Sequence, residues 1–152
     1  MHVNERQAVA SLEVGVLLAV CFGPASMAQA GPPALLLFGG QDHKTFLGCL
    51  NCAAQSQESI CNEYGTFGGK YNSDSVWNKY GTYGSQYSSD SPWNKYSSPN
   101  VVIVDQQGGF YGYFTINKYA RKRTTIPALV AFLDKAADME ELDDVRVVFC
   151  GT

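Results

Sequence analysis

The side chains with the most reactive chemistry beyond residue 30 are four cysteines, Cys49, Cys52, Cys61 and Cys150. Cys49-x-x-Cys52 has the spacing of a zinc half-site, yet Cys61 follows too soon and Cys150 lies too far away to supply a second half. The same spacing could serve as a redox pair, but Leu50-Asn51 offers no cation to stabilise a thiolate, and the strand-then-helix setting of a thioredoxin-like motif is missing. Ala53 stands where a c-type haem site would need histidine. If the chain is exported, disulfides are the leading expectation, with four cysteines allowing three pairings, while structural zinc binding and a redox pair stand as the alternatives.

His43 is the only histidine after residue 30, next to Asp42, and reads as a turn residue. The sequence contains no Gly-x-Ser-x-Gly elbow, His-Glu-x-x-His pair or phosphate-binding glycine loop. We therefore assign no catalytic residue, metal or cofactor. The enzymatic alternative is a hydrolase or thiol-based redox protein using Cys49 and Cys52 with His43. Asp74 and Asp90 lack the ordered ligand spacing of a calcium loop and read as capping residues.

A 16-residue period dominates the middle of the chain. Gly65 to Tyr80 (GTFGGKYNSDSVWNKY) overlays Gly81 to Tyr96 (GTYGSQYSSDSPWNKY), and one period earlier Cys49 to Tyr64 falls into the same register. There Ser59 aligns with Ser75 and Ser91, Asn62 with Asn78 and Asn94, and Tyr64 with Tyr80 and Tyr96. Cys49 and Cys52 take the slots of Gly65/Gly81 and Gly68/Gly84, while Cys61 takes that of Trp77 and Trp93. If each Trp ring lies over a glycine backbone, the first unit could replace that proximity with a covalent bridge. The expectation is that Cys61 pairs with Cys49 or Cys52 and the other reaches Cys150.

Within each unit, Ser73 or Ser89 is expected to cap a short helical turn over Asp74 to Tyr80 or Asp90 to Tyr96, with Gly81 in a left-handed exit. Between Tyr64 and Tyr96 there are six Tyr, two Trp and one Phe but a single aliphatic, Val76. These rings form the core of a small solenoid or offer faces on which a sugar stacks. Trp77, Trp93, Tyr83 and Tyr87 are the aromatic binding candidates.

The flanks supply the scaffold. Ala34 to Phe38 with Lys44 to Leu47, and Val101 to Asp105 with Phe110 to Ile116, each bracket a glycine-containing loop and read as hairpins. Ile126, Leu129, Val130, Leu133 and Ala137 have helical spacing after Thr125 and Pro127, and Val145 to Cys150 reads as a final strand. Lys118, Arg121, Lys122 and Arg123 precede that helix and Glu140, Glu141, Asp143 and Asp144 follow it, both against its dipole. The default reading is solvated loops. The alternative is an anion site at Arg121 and Arg123, for teichoic acid or phosphate.

At the front, Val14 to Phe22 is an apolar run followed by Gly23-Pro24 and Ala28-Gln29-Ala30, which reads as a signal peptide over 1–30 cleaved before Gly31. Leu18-Ala19-Val20-Cys21 resembles a lipidation box in which Cys21 would carry lipid. Nine apolar residues are too few for a transmembrane anchor. The expected organisation is one α+β domain over 31–152: a hairpin (31–48), the three-unit repeat (49–96), a second hairpin (97–117), then the helix and final strand (118–152). With 45% hydrophobic and 12% aromatic residues the chain is not disordered, and a net charge of −3 argues against a nucleic-acid partner.

Phe46-Leu47-Gly48-Cys49-Leu50-Asn51-Cys52, the pattern from Tyr80 to Ser88, Ser91-Pro92-Trp93-Asn94 and Phe110 to Thr115 together resemble one family of small secreted bacterial proteins. The same segment is similar to tails attached to exported nuclease-like hydrolases, whose catalytic part has no counterpart here. The resemblance covers nearly all of Ala34 to Thr125. It implies a bacterial accessory or binding domain, secreted, periplasmic or on the cell surface, with no catalytic residues to carry over. The expected partner is a cell-wall polymer or glycan; a purely structural module is the competing expectation.

Overall fold

The computed structural model describes Gly23 and residues 31–151. The predicted leader and Cys21 lie outside the described residues. Two antiparallel hairpins flank the repeat: β1 (Leu36–Gly39) with β2 (Thr45–Cys49), and β3 (Val102–Val104) with β4 (Phe110–Tyr113). β1 also pairs with β3, Leu37 opposite Ile103, so the hairpins join into one four-stranded antiparallel sheet in the order β2-β1-β3-β4. Two helices complete an α+β domain, α1 (Pro127–Ala136) and α2 (Leu142–Cys150). Among the described residues no helix is long and apolar enough to cross a membrane.

The segment expected as the last strand is α2. Val147 and Val148 favour a strand locally, but Leu142, Val145 and Phe149 sit three and four apart and face the core. Asp143 and Asp144 occupy the first turn, where the helix dipole favours negative charge, so these acids support a helix rather than oppose one. Gly151, at φ 78°, closes the helix by donating its N–H to the Val147 carbonyl. α1 begins as expected, with Pro127 in the first turn and Leu129, Leu133 and Ala136 buried.

The repeat contains no helix. It is a continuous spiral of tight turns in which one residue's N–H bonds the carbonyl three back: Asn72 to Gly69, Ser75 to Asn72, Asn78 to Ser75 and Gly81 to Asn78. A single four-residue step, Ser85 to Gly81, completes the period. The linking residues are Gly, Ser or Asn: Ser and Asn side chains bond backbone groups that a helix would otherwise pair, and Gly leaves room for the close turns. Ser59, Ser75 and Ser91 each accept, on Oγ, the N–H two residues on, at 3.1, 3.1 and 3.2 Å. Asn62, Asn78 and Asn94 accept the N–H of Tyr64, Tyr80 and Tyr96 on Oδ1. Each also donates from Nδ2 to the carbonyl six residues back, at 3.1 Å in every unit. These local bonds replace the helical turn expected after Ser73 and Ser89.

Aromatic rings join the units. Trp77 donates its indole N–H to the Ile60 carbonyl, and Trp93 to the Val76 carbonyl, both at 2.6 Å. The two rings stack 5.4 Å apart. They do not lie over glycine: a Cβ on Gly68 or Gly84 would fall 2.0 Å from the backbone oxygen of Asn62 or Asn78, so these glycines admit the neighbouring turn. Gly81 is not left-handed either, since its φ is not among the positive ones. Phe67 and Tyr83, in equivalent slots, turn toward the sheet, against Phe46 and Gly39 respectively. Phe132 of α1 and Phe149 of α2 cover the tryptophan stack.

Candidate functional site

The disulfides differ from the expected pairing. Cys49 bonds Cys52, and Cys61 bonds Cys150 across 89 residues. The expectation failed because it rested on tryptophan lying over glycine. The Trp slot instead faces the helices, so Cys61 meets the end of α2, and Arg146 of the same helix donates to the Cys61 carbonyl at 3.2 Å. The bond sits at the first rung of the aromatic ladder, where units two and three carry tryptophan. Both disulfides are compatible with an extracellular protein.

His43 is not brought to the cysteines. It lies in the β1–β2 turn at φ 54° with its ring 5.8 Å from that of Tyr113, while Cys49 is at the opposite end of β2. The five-residue strand Thr45–Cys49 lies between the turn that carries His43 and the disulfide, so the length of the strand, roughly 13 Å, separates them. Among the described residues no group of three or more His, Cys, Asp or Glu side chains converges as a metal site.

The aromatic candidates divide. Trp77 is 1% exposed, Trp93 5% and Tyr83 9%, so these three belong to the core; among the described residues Trp77 and Tyr83 line no groove, which corrects the expectation for them, while Trp93 contributes to the lining of a groove beside the α1–α2 junction. Tyr87 alone is outside, at 85%. The repeat displays other tyrosines in its place. Tyr64, Tyr80 and Tyr96, one period apart, are 91%, 81% and 93% exposed, and Tyr71, the equivalent of Tyr87, is 78% exposed. Each of the first three follows the Asn whose side chain fixes its backbone, so its direction is set by the turn. Beside Tyr64, the neighbouring Glu63 carboxylate raises the phenol pKa above its ordinary value.

Sequence reasoning missed a fourth member of this row. Asn117-Lys118-Tyr119 copies Asn78-Lys79-Tyr80 and Asn94-Lys95-Tyr96, but it is offset from the 16-residue register and falls after β4. Asn117 Oδ1 accepts the Tyr119 N–H at 3.0 Å, Nδ2 donates to Ser97, and Ala120 N–H bonds the Asn117 carbonyl, as in the repeat units. The Ile116 N–H caps the Pro92 carbonyl at 2.9 Å, the third rung after Ile60 and Val76. Tyr119 is 95% exposed. The Asn-Lys-Tyr triplet was the signal that could have found it.

Of the basic candidates, Arg123 is engaged internally: Nε donates to the Thr115 carbonyl at 2.9 Å and Nη1 pairs with Asp134 at 2.9 Å. Arg121 is exposed. The two guanidiniums therefore do not form a shared anion site, because tertiary packing commits one to a carboxylate on α1.

Two grooves run between the repeat and the helices. One, of about 870 Å³, lies between the third unit and the α1–α2 junction; the other, of about 630 Å³, lies between the second unit and α2. Both volumes fall within the range of small-molecule sites. Tyr80 and Tyr87 line the larger, Tyr64 and Tyr71 the smaller. The chain matches no protein-family model, no curated protein and no solved structure.

Proposed function

We propose that this protein is an exported accessory module that binds a cell-wall or surface polymer through the tyrosines of its repeat. The observation that carries the reading is the set Tyr64, Tyr71, Tyr80, Tyr87, Tyr96 and Tyr119, each at least 78% exposed on a scaffold that buries Trp77, Trp93 and Tyr83. Exposed phenol rings bury little area and so add little to stability, whereas an apolar face with a polar tip is suited to stacking on a sugar. Export rests on the small-x-small pattern ending at Ala30 and on the disulfides.

Co-sedimentation with purified bacterial cell walls tests the reading. The wild-type protein is expected to pellet with the walls. Replacing Tyr64, Tyr80 and Tyr96 with Ser should weaken binding roughly tenfold or more, since ring stacking contributes about 0.5–1.5 kcal/mol apiece, with no change in thermal midpoint. A wild-type protein that stays in the supernatant, or a triple variant that pellets equally well, overturns it.

A further inference from the structure

The two grooves share the period of the repeat along one wall, while their charged residues and helical walls differ. Tyr64, Gly68 and Tyr71 line the smaller, and Tyr80, Gly84 and Tyr87, each 16 residues on, line the larger in the same roles. Each groove has a glycine floor, forced by the close approach to Asn62 or Asn78, and an exposed tyrosine from each of two turns. α2 walls both, through Asp143 and Val147 on one and Leu142 and Val145 on the other. The charged side chains balance within each groove: Lys70 and Arg146 against Glu63 and Asp143, and Lys79 and Lys95 against Glu140 and Glu141. In the smaller groove Lys70 and Asp143 pair at 3.7 Å.

From this periodicity and charge balance we infer that the grooves are two related subsites for an uncharged polysaccharide, one chain running through both. This rests on the polymer-binding reading above and specifies its ligand. A repeating ligand is matched by a repeating site, because neighbouring sugar segments then meet the same tyrosines in the same order. A polyanion such as teichoic acid would meet two carboxylates in each groove, a repulsion that the two cations only offset. An uncharged chain incurs no such cost, and its hydroxyls can bond to the charged groups without neutralising them. Linking the subsites makes occupation of the second intramolecular, so a chain long enough to span both gains affinity that a short one lacks.

The test is affinity electrophoresis of the full secreted protein in gels containing hydroxyethylcellulose, glycol chitin, xylan or starch, with lipoteichoic acid as the polyanion. At least one uncharged polymer is expected to retard the protein, with affinity changing less than twofold between 50 and 500 mM sodium chloride. Tyr71→Ala and Tyr87→Ala should each weaken that binding by similar factors of about three to ten, and the double variant by about their product. Both tyrosines are exposed, so an unchanged circular dichroism spectrum separates binding from folding. Retardation by lipoteichoic acid alone, or one variant abolishing binding while the other has no effect, overturns the inference but leaves polymer binding intact. If the protein binds neither whole cell walls nor any of these polymers, both readings fall.

Discussion

The Trp93 indole N–H reaches the Val76 carbonyl at 2.6 Å, seventeen residues back, and Trp77 makes the same bond to Ile60. The carbonyl belongs to the residue immediately before the preceding rung of the ladder. Each tryptophan thus fills the core with one large ring and satisfies a backbone acceptor buried by the stacking of units. Replacing Trp93 with Phe keeps most of the ring but leaves the Val76 carbonyl without its donor, a cost of about 1–3 kcal/mol. Trp93→Ala should cost about 3–5 kcal/mol. Chemical denaturation of both variants checks the order; equal stability of Trp93→Phe and wild type would show that the hydrogen bond contributes nothing net.

The Cys61–Cys150 disulfide closes a loop of 89 residues and Cys49–Cys52 one of three. Because the chain entropy removed from the unfolded state grows with loop length, the long bond contributes about 4.6 kcal/mol and the short one about a third as much. The Cys61→Ser/Cys150→Ser variant should therefore lose more thermal stability than Cys49→Ser/Cys52→Ser, measured by calorimetry. A peptide map of the unreduced protein should join Cys61 to Cys150.

Gly84 has no room for a side chain, since an added Cβ would lie 2.0 Å from the Asn78 carbonyl oxygen, a backbone atom that cannot swing aside. Gly84→Ala should destabilise the protein by at least about 1–3 kcal/mol. Gly108 is a control: its added Cβ meets nothing within 4 Å, and only its φ of 83° opposes alanine, at about 1–2 kcal/mol. Thermal melts of the two variants should rank them in that order.

Asp105 organises the β3–β4 turn. Its carboxylate accepts the Gly109 N–H at 2.7 Å, the Tyr111 hydroxyl at 2.9 Å and the Gln107 N–H at 2.9 Å. The Gly109 bond, followed by the Tyr111 bond, lowers the Asp105 pKa below the ordinary value, while the same carboxylate raises that of Tyr111. With the folded pKa depressed, the contribution of Asp105 is present above the unfolded-state value and is lost as pH falls through the folded one. For Tyr111 the sign reverses, and its contribution is lost as pH rises through the raised value. Carboxyl chemical shifts followed from pH 6 downward should show Asp105 titrating below a model aspartate. A midpoint at or above the model value would contradict the geometry.

Much of this architecture was legible in the sequence, because its local rules are strong. The 16-residue period survives in three dimensions as a repeating set of turn hydrogen bonds, with Ser59, Ser75, Ser91 and Asn62, Asn78, Asn94 doing the same work in each unit. The hairpins and α1 were readable from alternation, loop glycines and helical spacing around Pro127. α2 was not, because Val145 to Cys150 has strand-like residue types; burial of Leu142, Val145 and Phe149 against the tryptophan stack outweighs a preference of a few tenths of a kcal/mol per residue.

The sequence by itself determined the repeat, the aromatic supply of the core and the local turns, since these depend on side chains reaching their own backbone a few residues away. Only the tertiary structure decided which rings face inward, because Trp77 and Tyr80 are equally apolar to a sequence reading and differ only in which side of the spiral meets the sheet and helices. It also decided the cysteine partners, the joining of the hairpins through β1 and β3, and the commitment of Arg123 to Asp134. Each of these joins segments far apart in the chain, and such pairings are set by the packing of the whole domain rather than by local residue preference.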